Sequence, residues 1–212
     1  MGEKRLILVG GGGHCKAVID VILSTGRSIC GILDNNLTIG STVLGIPIIG
    51  NDNDIASFAD ANTEFIITVG QIKTPTIRRE IADRIKSAAG TLAAPVIASS
   101  AHIAKGVTIG RGTVIMHNVI INSAATIGEN TIINTGAIVE HDCSVGDFVH
   151  ISTGAIINGG CNIGCNTFIG SHVTVVNGKQ VSNDIVVGAG ATVTCDITQS
   201  GTYCGTPANP IT

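Results

Sequence analysis

The sequence predicts a small Rossmann-like α/β domain over residues 1–90, followed by a parallel β-helix of hexapeptide repeats over residues 91–212. Three observations carry this reading. Every sixth residue from Ile97 through Ile115, Ile133, Ile151 and Ile169 to Val187 and Val193 is Ile or Val, seventeen in succession. Neither a helix period of about 3.6 nor a strand period of about two selects a strict six, whereas a coil of hexapeptides does. Four residues after each aliphatic the position is usually small or β-branched, as at Thr113, Ala125, Ala137, Cys143, Ala155 and Cys161. The large residue fills the coil interior and the small one packs beside it. The third observation is a change of texture before residue 90, where strand-like and helix-like runs alternate, the pattern of a parallel α/β unit.

Residues 5–9 read as a first strand, ending in Gly10–Gly13 and His14. Residues 15–24 carry Ala17, Val18, Val21 and Ile22 at helical spacing. Residues 29–33 read as a second strand ending at Asp34, and residues 65–69 as a third ending at Gly70. Residues 75–89 read as a helix with Ile77, Ile81 and Ile85 on one face. Residues 90–100 contain Pro95 and lead into the first coil, so the domain boundary is expected there. In the coils Gly recurs just after the aliphatic, at Gly110, Gly128, Gly146, Gly164, Gly170 and Gly188. Sharp turns with positive φ are expected at these positions.

Composition agrees and excludes several classes. With 28 Gly, no Trp, one Tyr and four Phe in 212 residues, the chain suits narrow aliphatic ladders. The formal charge is −3 and the pI about 6.0. No Lys/Arg run exists, so neither nucleic acid nor an anionic membrane is an expected partner. Mean hydropathy is +0.45, yet no unbroken apolar stretch reaches the ~18 residues of a membrane span, and no membrane insertion is expected. The first residues lack a signal-peptide layout. Seven Cys is an odd number without disulfide-like spacing, which points to a reducing, cytoplasmic location. Cys143 and Cys161 fall on the inward small position and read as packing residues. Cys161 and Cys165 lie four apart, but no His or Cys completes a metal set, so no metal is expected.

Two features carry chemistry. A Gly-rich strand-to-helix turn exposes backbone N–H groups and a helix N-terminus to a phosphate. Asp34, at the end of the next strand, suits a hydrogen bond to a ribose or a base edge. The Gly10, Gly12, Cys15 pattern meets the dinucleotide fingerprint only loosely, and the α/β half is short. A mononucleotide or nucleotide-sugar site therefore fits better than a dinucleotide site. The second feature is Val139-Glu140-His141-Asp142-Cys143. A carboxylate beside an outward-facing His orients the ring and raises its basicity, as a general base requires. His102, His117 and His172 read as structural.

With these residues in view, the chain resembles the PglD/NeuD-type sugar acetyltransferases, members of the left-handed β-helix acyltransferases. The resemblance rests on Leu6–His14, on the hexapeptide ladder and on Glu140-His141-Asp142. It rests also on Val175-Val176-Asn177-Gly178 and on Gly205-Thr206-Pro207-Ala208. It implies a left-handed helix with three hexads per coil and a homotrimer with sites between neighbouring helices. Acetyl-CoA would be the co-substrate and a nucleotide sugar the acceptor. His141 would be the base and Asp142 its basicity partner. His150 would contact the thioester carbonyl, and Gly170, Ser171, Gly188, Ala189 and Gly190 would line the coenzyme. Asn134 would touch the sugar. Gly12, Gly13, His14, Asp34, Asn35 and Gly70 would bind the nucleotide portion. Asn35 and Gln71 depart from the residues frequent in relatives, which leaves the base open. The implied reaction is direct acetyl transfer to a 4-amino group of a UDP-, dTDP- or GDP-linked deoxy sugar. O-acetylation of sialic acid, a non-catalytic β-helix scaffold and a short NAD-binding protein are the competing readings.

Overall fold

The computed structural model describes residues 4–211. The outermost residues of the two expected domains, 1–3 and 212, lie outside the described residues. Strand β1 (Arg5–Val9), helix α1 (Gly13–Ser24) and strand β2 (Gly31–Leu33) come first. A short hairpin follows, β3 (Thr42–Val43) and β4 (Ile46–Gly50). Helix α2 (Ile55–Phe58), strand β5 (Thr63–Ile67), helix α3 (Thr76–Ser87) and strand β6 (Thr91–Leu92) complete this half. The sheet has the order β3-β4-β2-β1-β5-β6 and is parallel except for the β3–β4 hairpin. Three of its strands, β3, β4 and β6, were not legible from the sequence. Two of them are two residues long, and β4 carries Pro47, a residue that argues against a strand.

Side chains alternate across the sheet, so each face buries its own layer. Ile7, Val9, Phe65 and Ile67 pack with Ile81 and Ile85 of α3. Leu6 and Leu8 pack with Val18, Ile19 and Ile22 of α1, and this layer runs without a break into Val96, Val114 and Met116 of the coil. The expected α3 stripe holds at Ile81 and Ile85, which are 2% and 1% exposed, but Ile77 is 59% exposed. Ile77 lies in the first turn of α3, beyond the packed layer, and the buried residue there is Arg78.

The rest of the chain is a left-handed parallel β-helix. Its two-residue strands recur every six residues and stack in register eighteen residues apart, as in Ile115↔Ile133↔Ile151↔Ile169. Three sheets result, the faces of a triangular prism. The aliphatic ladder is buried from Ile115 onward, whereas Ile97, Ile103 and Ile109 are only partly covered at the open end. Gly201–Cys204 and Asn209–Ile211 close the other end as an antiparallel hairpin.

The prism has three corners. The first gathers Gly112, Asn130, Phe148, Asn166 and Asp184; the second Asn118, Gly136, Gly154, His172 and Gly190; the third Gly106, Ala124, Asp142, Gly160 and Gly178. All fifteen have positive φ, and they follow one another at intervals of six. The glycines expected to need positive φ do not have it. Gly110, Gly128, Gly146, Gly164 and Gly170 are required for another reason: a Cβ on any of them would lie within 2.9 Å of the backbone of the next coil. The coils simply stack too closely there for a side chain.

Candidate active site

A cleft of about 680 Å³ opens at the carboxyl ends of β1, β2, β4 and β5. Neighbouring strands β1 and β5 send their connections in opposite senses here, the switch point where open α/β sheets bind ligands. Gly12, Gly13, His14, Asp34, Asn35 and Gly70 all line it. Asn36, Asp52, Thr68, Val69, Ile72, Ile77 and Ile81 line it as well; these the sequence reading missed. Neither Lys nor Arg is among the lining residues. Any phosphate would therefore rest on backbone amides. Helix α1 offers them, because its N-cap Gly12 makes no side-chain cap and its first turn carries no acidic residue.

Asp34 is occupied by its own loop. Its Oδ2 accepts from Gly11 N–H at 2.6 Å, and its Oδ1 accepts from Asn36 and Leu37 N–H at 2.8 and 3.0 Å. The carboxylate thus shapes the Gly-rich turn before it touches any ligand. Asn35 and Asp52 clasp each other across the cleft mouth: Asn35 Nδ2 donates to Asp52 Oδ2 at 2.8 Å, and Asp52 N–H donates to Asn35 Oδ1 at 3.0 Å.

Between the two halves lies a closed seam. His150, 7% exposed, donates from Nδ1 to the Gln71 carbonyl at 2.6 Å and accepts at Nε2 from Asn134 Nδ2 at 3.1 Å. Its ring meets Phe168 edge-on. Burial pushes its pKa down to about 4 against the opposing Gln71 bond, and the Arg78 charge lowers it further. His14, behind Gly70, is pushed down to about 3 by burial, then by Arg78 and His150. Both imidazoles are neutral at physiological pH. His150 was expected to contact a thioester carbonyl; within one chain its Nδ1–H goes to the Gln71 carbonyl and its Nε2 lies beside Asn134 Nδ2.

His141 is placed oppositely. It sits at the third corner, its side chain 60% exposed, with Nδ1 2.8 Å from Asp142 Oδ2. The Asp142 bond, reinforced by the charges of Asp142 and Glu140, holds its pKa above the usual histidine value. Glu140 is itself anchored by Asn122 Nδ2 at 2.9 Å. With Nδ1–H given to Asp142, Nε2 carries the free lone pair. Gly159 on the next coil makes room for the ring, since a Cβ there would lie 2.7 Å from Nε2. The signal for Gly159 was present in the sequence as a glycine eighteen residues after His141. Cys143 beside it is 1% exposed and donates to the Asn158 carbonyl at 3.2 Å. The hydrogen bond with Cys161, and then burial, push the thiol pKa up, so it is no nucleophile.

Gly170, Ser171, Gly188, Ala189 and Gly190 cluster at the second corner. Gly190 N–H donates to the Ser171 carbonyl at 2.8 Å, and Ser171 Oγ lies 3.0 Å from Ser152 Oγ. Asn134 occupies the same corner two coils before Gly170, its Oδ1 accepting from Thr135 N–H at 2.8 Å. Within one chain, then, His141 and the second-corner group lie on different corners, one prism face apart. No group of three or more His, Cys, Asp or Glu suited to a metal exists among the described residues. No helix among them is long and apolar enough to cross a membrane.

This combination, a switch-point cleft mounted on a left-handed β-helix with a carboxylate-oriented histidine, defines a β-helix acyltransferase. The comparisons narrow it. Residues 5–85 match the PglD N-terminal domain. The acetyltransferase domain of PglB from Neisseria gonorrhoeae FA1090 is 31% identical, with 98% of this chain and 100% of that one aligned at a TM-score of 0.89. PerB from Caulobacter crescentus, solved with CoA and GDP-perosamine, is 29% identical over 100% of this chain and 99% of its own, with a TM-score of 0.90. An uncharacterized protein of Acanthamoeba polyphaga mimivirus is 35% identical over 109 residues, and the match spans 51% of this chain but only 20% of that curated relative. The chain belongs to the PglD/NeuD-type family of sugar acetyltransferases.

Proposed function

We propose that the protein transfers the acetyl group of acetyl-CoA directly to the 4-amino group of a nucleotide-linked deoxyamino sugar, in the cytoplasm. The observation that carries this is the His141–Asp142 pair, exposed and with Nε2 free, in a chain that also has the switch-point cleft. Solved relatives support the substrate class, since PerB was solved with CoA and GDP-perosamine. His141 Nε2 takes a proton from the amine as the nitrogen attacks the thioester carbon. The C–S bond then breaks, and CoA leaves as the thiol. Backbone amides of the second corner lie in the coenzyme groove. The nucleotide rests against Gly12, Gly13, His14 and Gly70.

The separation of corners supports a homotrimer. One chain holds His141 on the third corner and the Ser171–Gly190 group on the second. Three parallel prisms related by a threefold axis form a closed ring of head-to-tail interfaces, each bringing one copy's third corner to its neighbour's second. Incubation with acetyl-CoA and a panel of UDP-, dTDP- and GDP-linked amino sugars plus sialic acids, read by mass spectrometry, tests the function. An N-acetylated nucleotide sugar is expected. Acetylation of sialic acid alone would replace this reading.

A further inference from the structure

The α/β half grips the coil in a repeated way. Gln71 Nε2 donates to the Phe148 carbonyl at 2.8 Å, Arg78 Nη2 donates to the Asn130 carbonyl at 2.8 Å, and Arg79 Nη1 donates to Asn166 Oδ1 at 3.3 Å. Asn130, Phe148 and Asn166 are the left-handed residues of three successive coils at the first corner. A short segment, residues 71–79, therefore holds three consecutive rungs.

Arg78 is the unusual member. It is 1% exposed, and among the described residues it has no carboxylate partner. Its Nη1 donates to the Ile67 and Val69 carbonyls at 3.0 and 2.7 Å, so its guanidinium joins the end of β5 to the coil. Burial lowers its pKa only to about 10, which leaves it charged at neutral pH. Burying an unpaired guanidinium is costly, and an apolar residue of similar volume would serve stability at least as well. What an apolar residue could not do is fix direction. The planar fork sets two carbonyls of one half and one of the other at defined angles. The other side of the same strand end, Thr68, Val69 and Gly70, is the wall of the acceptor cleft.

We propose that Arg78, assisted by Gln71, is a positioning residue for acetyl transfer: it locks the cleft wall to the coil and so fixes where the acceptor amine meets the acetyl group. The proposal rests on the nucleotide-sugar reading above. It separates two kinds of acceptor. An amine tethered through its nucleotide is placed by the cleft, and misplacement by ~1 Å costs up to ~10²-fold. An amine without a nucleotide is not held there and loses nothing.

Arg78→Lys keeps the charge but cannot reach carbonyls in both directions. Gln71→Ala removes the second tie and serves if the first variant fails to fold. For each, kcat/KM is measured with the best nucleotide-linked amino sugar of the panel and with the corresponding free amino sugar, and acetyl-CoA binding is followed by calorimetry. The expected result is a fall of about tenfold to hundredfold for the nucleotide-linked acceptor alone, with the free amine and acetyl-CoA unaffected. Equal losses for both acceptors, or unchanged kcat/KM in the folded variants, overturn it. If the unaltered protein acetylates no nucleotide-linked sugar, the functional reading fails first, and this inference with it.

Discussion

The third corner of the prism and the seam between the halves both carry histidine, and they treat it oppositely. At the corner, His141 stands in solvent with one carboxylate bound to Nδ1, and its pKa is raised. In the seam, His14 and His150 are enclosed beside a buried guanidinium, and theirs fall to about 3 and 4. Burial disfavours the charged ring, while a neighbouring carboxylate favours it. The comparison shows which histidine can exchange a proton near neutral pH. It also shows that the seam holds His150 as a neutral hydrogen-bonding spacer between Gln71 and Asn134.

The largest effect should come from emptying the corner. His141→Ala should lower kcat by ~10²–10⁴ and leave the melting temperature nearly unchanged, because the side chain is exposed and its hydrogen bond is to the equally exposed Asp142. Normal turnover in that variant would remove His141 as the base. Gly159→Ala is a subtler route to the same end. The new methyl would meet His141 Nε2 at 2.7 Å, and the exposed ring would swing away, costing about tenfold to hundredfold in kcat with the fold intact. Wild-type activity would show that the ring position is not critical.

Asp142→Asn should cost less than either, and it should move the pH profile. A general base works when deprotonated, so kcat/KM should fall as pH drops through the raised His141 pKa. Removing the carboxylate lowers that pKa, and the acid limb should shift to lower pH. An unmoved limb would assign it to another group.

The seam should report in stability. An unfolded histidine binds its proton near pH 6.5, but folded His14 and His150 resist protonation until about pH 3 and 4. The unfolded state therefore binds more protons through this window, so stability declines as pH falls below about 6.5, by about 1.4 kcal/mol per pH unit for each histidine. His150→Phe should flatten part of that slope in denaturant titrations from pH 6 to pH 4. An unchanged slope would mean that His150 is not kept neutral by the fold.

The legibility of the fold divides along the same line. The coil was readable because one period of six controls everything in it: Ile133, Ile151 and Ile169 must face inward, and nothing distant overrides that. The reason for Gly110 and Gly128 was not readable, since it lies in the backbone of the next coil rather than in local φ. His141 announced itself through adjacent carboxylates. His150 did not, because its partners, Gln71 and Asn134, lie 79 and 16 residues away. Arg78 lies off the apolar stripe expected of its helix and is buried because two carbonyls at the end of β5 and one from the coil converge on it. Ile77, its neighbour, is exposed for the matching reason.

The central claim is that one copy's His141 serves another copy's second corner. Mixing two inactive proteins tests it directly. His141→Ala lacks the proposed base, and Ala189→Trp fills the exposed second corner proposed to hold the coenzyme. If they are unfolded, combined and refolded together, the proposed homotrimer would give mixed assemblies with interfaces where an intact third corner meets an intact second corner. Acetyltransferase activity well above that of either variant alone is the expected result. Activity no greater than the sum of the two would contradict the shared site and return the whole reaction to a single chain.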